Sequence, residues 1–168
     1  MEEEKSTEEI LAEKNPVANN TIKSFLLGSM GVGFIPYPII DFFALTALQI
    51  AMVKKLSGVY GVEFSHELGK SFIGSLVGSG TPMLMARPVA SLIKLIPVVG
   101  QALGMVTMPI LAGASTYALG KVFKKHFESG GTLFNFNPGR MKKYYEEKFE
   151  EGKGMASELK KEAATKKA

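Results

Sequence analysis

Apolar residues dominate the middle of the chain, and polar residues dominate both ends. Between Ser24 and Val53 nearly every position is apolar, and a second long apolar stretch runs from Leu95 to Gly120. Helical periodicity therefore does not identify a solvent-facing side in these stretches. Helices that are apolar on all faces occur either deep in a protein core or in a membrane.

Proline, glycine and polar clusters divide the chain into predicted helices. A short polar helix over residues 2–14 is expected to end at Asn15-Pro16, because the residue before proline disfavours helical conformation. Ser65, within the polar stretch 54–70, is placed to cap a following helix. The remaining predicted helices cover residues 25–35, 39–53, 71–93, 95–120 and 140–150, and the last ~15 residues are expected to fray.

These elements predict an all-α fold of two Gly-rich apolar helical hairpins with charged helical termini. The hairpin tips are assigned to Phe34-Ile35-Pro36 and Leu95-Ile96-Pro97, which form a weak internal repeat. The predicted organisation is a polar acidic N-terminal helix (1–21), an apolar helical-hairpin domain (22–131), and a basic C-terminal docking helix and tail (132–168).

The apolar segments differ in their capacity to cross a membrane. A spanning helix needs about 20 apolar residues. Residues 95–120 are long enough, and residues 71–93 are long enough if Arg87 is tolerated, whereas 24–35 and 39–53 are too short alone and suggest shallow or re-entrant hairpins.

Small residues favour membrane association over a soluble bundle. Gly74 and Gly78 form one small-xxx-small pair, and Gly100 and Gly104 form another. In lipid, such pairs let helix backbones approach closely. In a soluble helix each glycine costs about 1 kcal/mol, although glycine also serves close helix crossings in soluble bundles.

The net charge of +4 is unevenly distributed along the chain. Residues 1–23 are net acidic, and residues 121–168 carry twelve Lys and Arg against seven Glu. A basic flank beside an apolar block is attracted to an anionic cytoplasmic membrane face, but it also keeps a soluble protein in solution. The acidic start does not resemble a secretory signal.

Isolated polar groups in the apolar centre are candidate interaction residues. Asp41 is followed directly by Phe42-Phe43, so its carboxylate needs a partner or a proton. Arg87 or Lys94 is a candidate partner that would fix how the hairpins dock. Alternatively, Asp41 caps the helix that starts near Pro38 or lies at the water line. Gln49 is expected to form hydrogen bonds between helices.

No motif for catalysis, metal binding or a cofactor is present in the sequence. The chain has no cysteine and two histidines, and Gly69-Lys70-Ser71 lacks the first glycine of a phosphate-binding loop. Nucleic-acid binding is not expected either, because the Lys-rich tail is interspersed with Glu and forms no basic stripe.

Several of these residues match a known family pattern. The sequence resembles a bacterial domain family of unknown function that follows small Era-like GTPase domains and occurs in related inner-membrane proteins. The resemblance covers about residues 22–131 and rests on Ile35-Pro36, Pro38, Asp41, Gln49, Met52-Val53, Leu56, Tyr60-Gly61, Ile96-Pro97, Gly100, Tyr117-Ala118, Gly120-Lys121, Phe127-Glu128 and Gly130-Gly131. It implies a helical, membrane-associated module without catalytic residues, often acting with a GTPase, although this chain carries no GTPase domain.

The sequence thus predicts a non-enzymatic membrane-associated adaptor or scaffold at the bacterial inner membrane, with cytoplasmic termini. Its predicted partners are membrane lipid, further copies of itself, and a GTPase or other cytoplasmic protein. One alternative is a soluble α-helical oligomer that binds an apolar ligand or a partner helix near Phe42, Phe43 and Met83. A second alternative is a pore-forming or toxin-like protein.

Overall fold

The regular structure of the described chain consists of helices. The computed structural model describes the backbone of residues 2–33, 38–93 and 99–167, and the side chains of residues 6–33, 42–79 and 108–167. These ranges contain α1 (Glu2–Val32), α2 (Pro38–Tyr60), α3 (His66–Ile93), α4 (Val99–Glu128), a one-turn 3-10 helix (Leu133–Asn135) and α5 (Pro138–Lys167). The predicted all-α class is confirmed.

The predicted helix end at Asn15-Pro16 is wrong, because α1 continues through Pro16. Pro16 removes one backbone hydrogen bond, to the carbonyl of Ala12, and Ala12 is exposed, so water can satisfy that carbonyl. Beyond the proline, Ala18, Ile22 and Leu26 recur every four residues and are buried in the core. This apolar stripe stabilises the helix across the proline.

Two other helices are longer than predicted. Helix α2 continues past Lys54-Lys55 to Tyr60, and α5 extends to Lys167, so the predicted frayed tail is wrong. Helix α5 is held by a buried stripe, Tyr145, Phe149, Gly152 and Ala156, at spacings of three and four residues.

Helix starts follow capping chemistry. Helix α3 begins directly after Ser65, whose Oγ accepts the Leu68 N–H at 3.4 Å, as predicted. At the start of α5 the Asn137 side chain accepts the Arg140 N–H at 3.2 Å. Pro138 takes the first helical position, where its missing N–H costs nothing.

Helix α4 is the central helix of the bundle. Residues 112–120 are all buried, and α4 contacts each of the other four α-helices, α1 and α5 most extensively. Among the described residues, α3 packs more extensively on α5 than on α4. Packing therefore does not single out α3 and α4 as one hairpin, and the two-hairpin arrangement stays a prediction.

The helix directions give the bundle a polar end and an apolar end. Lys121 of α4 donates to Asn19 of α1 at 3.1 Å, whereas Gly33 at the end of α1 lies against Pro109, so α1 and α4 are antiparallel. Tyr60 at the end of α2 donates to Glu128 at the end of α4 at 3.0 Å, so these two helices are parallel. The polar end therefore contains the last turns of α2 and α4, and the apolar end contains the start of α2 and the end of α1.

Helix α5 is antiparallel to α4. The Lys125 ammonium lies 4.1 Å from the centre of the Tyr144 ring near the start of α5. Farther along, Tyr117 donates to Glu151 at 2.5 Å, and a Cβ at Gly113 would lie 3.3 Å from Ala156. The C-terminal turns of α5 thus extend from the polar end toward the apolar end.

Candidate functional site

Large apolar side chains are exposed together at the apolar end. Phe42 and Phe43 of α2 are 63% and 68% exposed, and their rings meet edge to face with centres 6.2 Å apart. Met108 of α4 is also exposed, and it lines the same cavity as Phe42. We call Phe42, Phe43 and Met108 the apolar tip.

Most of the other large exposed apolar side chains lie nearer the polar end, whereas Leu27 on α1, which is 47% exposed, lies toward the apolar end. Phe134, in the 3-10 helix after α4, is 69% exposed, and Ile10 and Val17 on α1 are exposed as well. Single exposed apolar residues are ordinary on soluble proteins. The apolar tip differs from these residues because two aromatic rings are in contact and a methionine lines the same cavity as one of them.

One stretch of the described chain is long and apolar enough to cross a membrane. It is Phe42–Tyr60 in α2, and 28% of it is buried inside the bundle. The predicted segment 39–53 is too short to span, because the sequence pattern ends the helix before Lys54-Lys55, whereas α2 continues to Tyr60. The predicted spanning stretches 71–93 and 95–120 include residues 80–107, whose side chains lie outside the described residues. Length and composition alone do not distinguish a spanning helix from a core helix.

A cavity of about 360 Å³ opens between three helices beside the apolar tip. Most of its lining is apolar, and Lys70 is its single charged lining residue among those described. The lining comprises Phe42, Leu45, Thr46 and Gln49 of α2, Lys70, Ile73, Gly74, Val77 and Gly78 of α3, and Met108, Leu111, Ala112 and Ser115 of α4. The sequence alternative placed an apolar pocket near Phe42, Phe43 and Met83. Phe42 lines the cavity, Phe43 does not, and the Met83 side chain lies outside the described residues.

A buried polar network forms one wall of this cavity. Gln49, 2% exposed, donates to Ser115 Oγ at 3.2 Å and to Thr116 Oγ1 at 3.3 Å. Ser115 Oγ lies 3.1 Å from the hydroxyl of Tyr145, which is fully buried on α5. The network joins α2, α4 and α5, so Gln49 forms the expected inter-helix hydrogen bonds.

Replacing Gln49 with methionine should lower the free energy of unfolding by about 1–2 kcal/mol, because two buried hydrogen bonds are lost while the side-chain volume is kept. Chemical denaturation of Gln49→Met, Ser115→Ala and the double variant forms a double-mutant cycle. We expect a coupling of at least about 0.5 kcal/mol between the two residues. Strictly additive effects would contradict the network.

The predicted close-contact pair Gly74 and Gly78 faces the cavity rather than a neighbouring helix. A Cβ built on either glycine meets no atom of the described chain within 4 Å. The two glycines therefore do not serve a close helix crossing among the described residues, and a contact with a second copy stays a prediction.

The other predicted interaction residues lie outside the described side chains. Asp41 and Arg87 belong to α2 and α3, Gly100 and Gly104 belong to α4, and Lys94 lies between the described ranges. The predicted pairing of Asp41 with Arg87 or Lys94 therefore stays a prediction.

Among the described residues, close helix contacts come from Gly33, which lies against Pro109, and from three glycines outside the predicted pairs. A Cβ at Gly120 would lie 2.7 Å from Ile22 of α1, and one at Gly113 would lie 2.9 Å from Met30. A Cβ at Gly152 of α5 would lie 3.0 Å from the Ala114 Cα. Gly113 and Gly120 are seven residues apart, two helical turns, so a search for small residues at that spacing would have found them.

A hydrogen bond between Tyr117 of α4 and Glu151 of α5 joins the two helices, and Lys148 bonds the same carboxylate from within α5. Lys148 and Tyr117 each donate to the Glu151 carboxylate at 2.5 Å, and these bonds hold the pKa of Glu151 below its usual range. The attachment is therefore strongest with Glu151 ionised and weakens as pH falls through this lowered pKa. Burial, aided by nearby Lys124, lowers the pKa of Lys121.

Comparisons with known proteins give a family match and a relative. Residues 2–153 match the family model described as "Domain of unknown function (DUF697)". The "Magnetosome membrane protein 22" of Magnetospirillum gryphiswaldense is 47% identical over an alignment of 154 residues that covers 88% of this chain and 77% of that protein. No solved structure matches the chain. The family match reaches into α1 and α5, beyond the range 22–131 given by the sequence resemblance.

Proposed function

Because the chain belongs to the DUF697 family of domains of unknown function, and because its bundle exposes an apolar tip, we propose that it is a non-catalytic, membrane-associated helical protein. The apolar tip enters the membrane, and the polar end faces water and protein partners. The exposure of Phe42 and Phe43 carries this proposal. Transfer of water-exposed aromatic side chains into an apolar phase is favourable, because it lowers their free energy.

The relative adds independent support. A protein 47% identical to this chain is named a magnetosome membrane protein. The absence of cysteine and of any recognised catalytic motif in the sequence supports a role in binding rather than in catalysis.

The direction of α5 favours shallow insertion over a bundle that crosses the membrane. Ala156 packs at the level of Gly113, and Lys167 lies about 16 Å farther along α5, toward the apolar end, at a rise of 1.5 Å per residue. The last turns carry Lys160, Lys161, Lys166 and Lys167. Met108 lies only five residues from Gly113 on α4, so these lysines reach the level of the apolar tip and beyond it. Anionic lipid headgroups attract each lysine by about 1 kcal/mol near the surface, and the charges resist deeper insertion of the tip.

A shallow arrangement keeps both chain ends on one side of the membrane, which we propose to be the cytoplasmic face of the bacterial inner membrane. The polar end then presents Lys54, Lys55, Lys121 and Lys125 to a cytoplasmic partner. The family resemblance suggests a GTPase as that partner. Self-association, which the sequence predicts, is a further part of the proposed scaffold role.

Fractionation of the expressed protein tests the membrane association. We expect the protein in the membrane pellet, retained in high salt because apolar contacts hold it, and largely released by alkaline carbonate because insertion is shallow. Retention after carbonate would instead mean that segments cross the membrane. Complete recovery in the soluble fraction without detergent would overturn the proposal.

A further inference from the structure

The cavity beside the apolar tip is elongated along α3. Lys70, Gly74 and Gly78 are spaced by four residues, so they lie on one face of the helix over about 12 Å. Because glycines occupy two of the three positions, this wall lacks side chains, and the space in front of it is free of described atoms. Ile73 and Val77 of the same helix complete an apolar wall beside it.

The cavity wall offers a ligand apolar contacts and one cation. The Gln49 amide N–H already donates to Ser115 and Thr116, and no buried side-chain polar atom of the described chain lacks a hydrogen bond. Because most of the lining is apolar, the part of a ligand inside the cavity is expected to be apolar. Lys70 is exposed at the end nearer the start of α3, and no described carboxylate lies within 4 Å of its ammonium group. An anionic group on the ligand would complement it there.

The dimensions and charge of the cavity favour a small ligand over a partner helix. A docked helix of several turns needs a longer groove than the roughly 12 Å over which α3 lines the cavity. The volume lies at the small end of the range for small-molecule sites, and it suits one extended chain better than two.

We propose that this cavity binds a long-chain fatty acid, with the carboxylate at Lys70 and the acyl chain along Gly74 and Gly78 toward Phe42. The bound fatty acid would have the same orientation as a lipid in a membrane leaflet. Its carboxylate lies toward the polar end, at Lys70, and its acyl chain points toward Phe42 of the apolar tip. This proposal rests on the proposed membrane association only for the side from which the acyl chain enters the cavity. The binding contacts themselves lie within the bundle.

Photoaffinity labelling in neutral phosphatidylcholine vesicles tests the site. The probe is palmitate carrying a diazirine and an alkyne on its chain, applied to the full-length protein. Labelled residues are mapped by mass spectrometry. We expect labelling within residues 70–78 and 108–115, competition by unlabelled palmitate, and competition about threefold weaker by hexadecanol, which has no charge to pair with Lys70.

Three variants separate the site from general lipid contact. Gly74→Leu fills the cavity and should lower labelling about tenfold, whereas Gly154→Leu, an equally open helical glycine on α5, should leave it within about twofold. In the Lys70→Gln variant, palmitate should compete for labelling no better than hexadecanol does. Gly74→Leu is expected to float with vesicles like the unchanged protein, so loss of labelling and loss of membrane binding can be told apart.

Several outcomes would overturn the inference. Equal labelling of Gly74→Leu, or label spread evenly over Phe43 and the end of α5, would show contact with bulk lipid. Equal competition by palmitate and hexadecanol would show that Lys70 does not contribute to binding of the carboxylate. Absence of labelling at saturating probe would mean that another occupant, such as a second copy of the chain, fills the cavity.

Discussion

Replacing Gly152 with leucine is expected to lower the free energy of unfolding by about 3 kcal/mol and to detach α5 from α4. A Cβ at Gly152 would lie 3.0 Å from the Ala114 Cα and 3.1 Å from the Ala114 carbonyl oxygen. These are backbone atoms in the buried centre of α4, so they cannot move aside as a flexible side chain would. The larger side chain must therefore push the two helices apart and separate Ala156 and Phe149 from the core.

Gly154→Leu is the matched control for this substitution. Gly154 is exposed on the same helix, and a Cβ there meets no described atom within 4 Å. Because leucine favours the helix over glycine, we expect stability to stay equal or to rise by up to about 1 kcal/mol. Denaturant unfolding measures both variants, and limited proteolysis of α5 reports its detachment. Similar stability for the two variants would contradict the packing of α5 on α4.

Replacing both Phe42 and Phe43 with glutamate is expected to weaken vesicle binding by about 100-fold or more. The double change removes two exposed rings from the apolar tip and adds two charges that resist transfer into hydrocarbon. Folding should persist, since both side chains are mostly exposed and contribute little to the core. Vesicle flotation gives the binding, and circular dichroism reports whether the helices remain.

Phe134→Glu is the control for this loss. Phe134 is 69% exposed, close to the 68% of Phe43, but it lies at the polar end. We expect its replacement to leave flotation within about twofold, because a residue that stays in water changes the partition little. Equal loss of binding in both variants would mean that exposed aromatic area anywhere, rather than the apolar tip, determines membrane binding.

The helices could be predicted from the sequence where local chemistry decides them. Ser65 caps α3 because its hydroxyl reaches the first turn, an interaction confined to a few residues. A helix end at Pro16 is predicted from the same kind of local interaction. This prediction is wrong, because burial of Ile22 and Leu26 stabilises the helix beyond the proline. The residues next to the proline do not indicate tertiary packing of this kind, because it involves residues farther along the helix.

The site was less predictable because its parts are distant in sequence. The bonding role of Gln49 could be expected from an amide in an apolar segment, but its partner Ser115 is 66 residues away. The cavity depends on the spacing of three helices, and Gly74 and Gly78 help to open it by leaving space, not by drawing backbones together. Which glycine touches a neighbouring helix is set by the helix rotation, which the sequence pattern of these all-apolar helices does not encode.

The most direct test of membrane association through the apolar tip uses single cysteines. The chain has no native cysteine, so Phe43→Cys and Phe134→Cys can each carry one environment-sensitive fluorophore. With anionic vesicles we predict a blue shift at position 43, together with quenching by nitroxides on the lipid acyl chains, and neither change at position 134. A fluorophore at position 43 that keeps its aqueous spectrum, or insertion at position 134 instead, would contradict the proposed function.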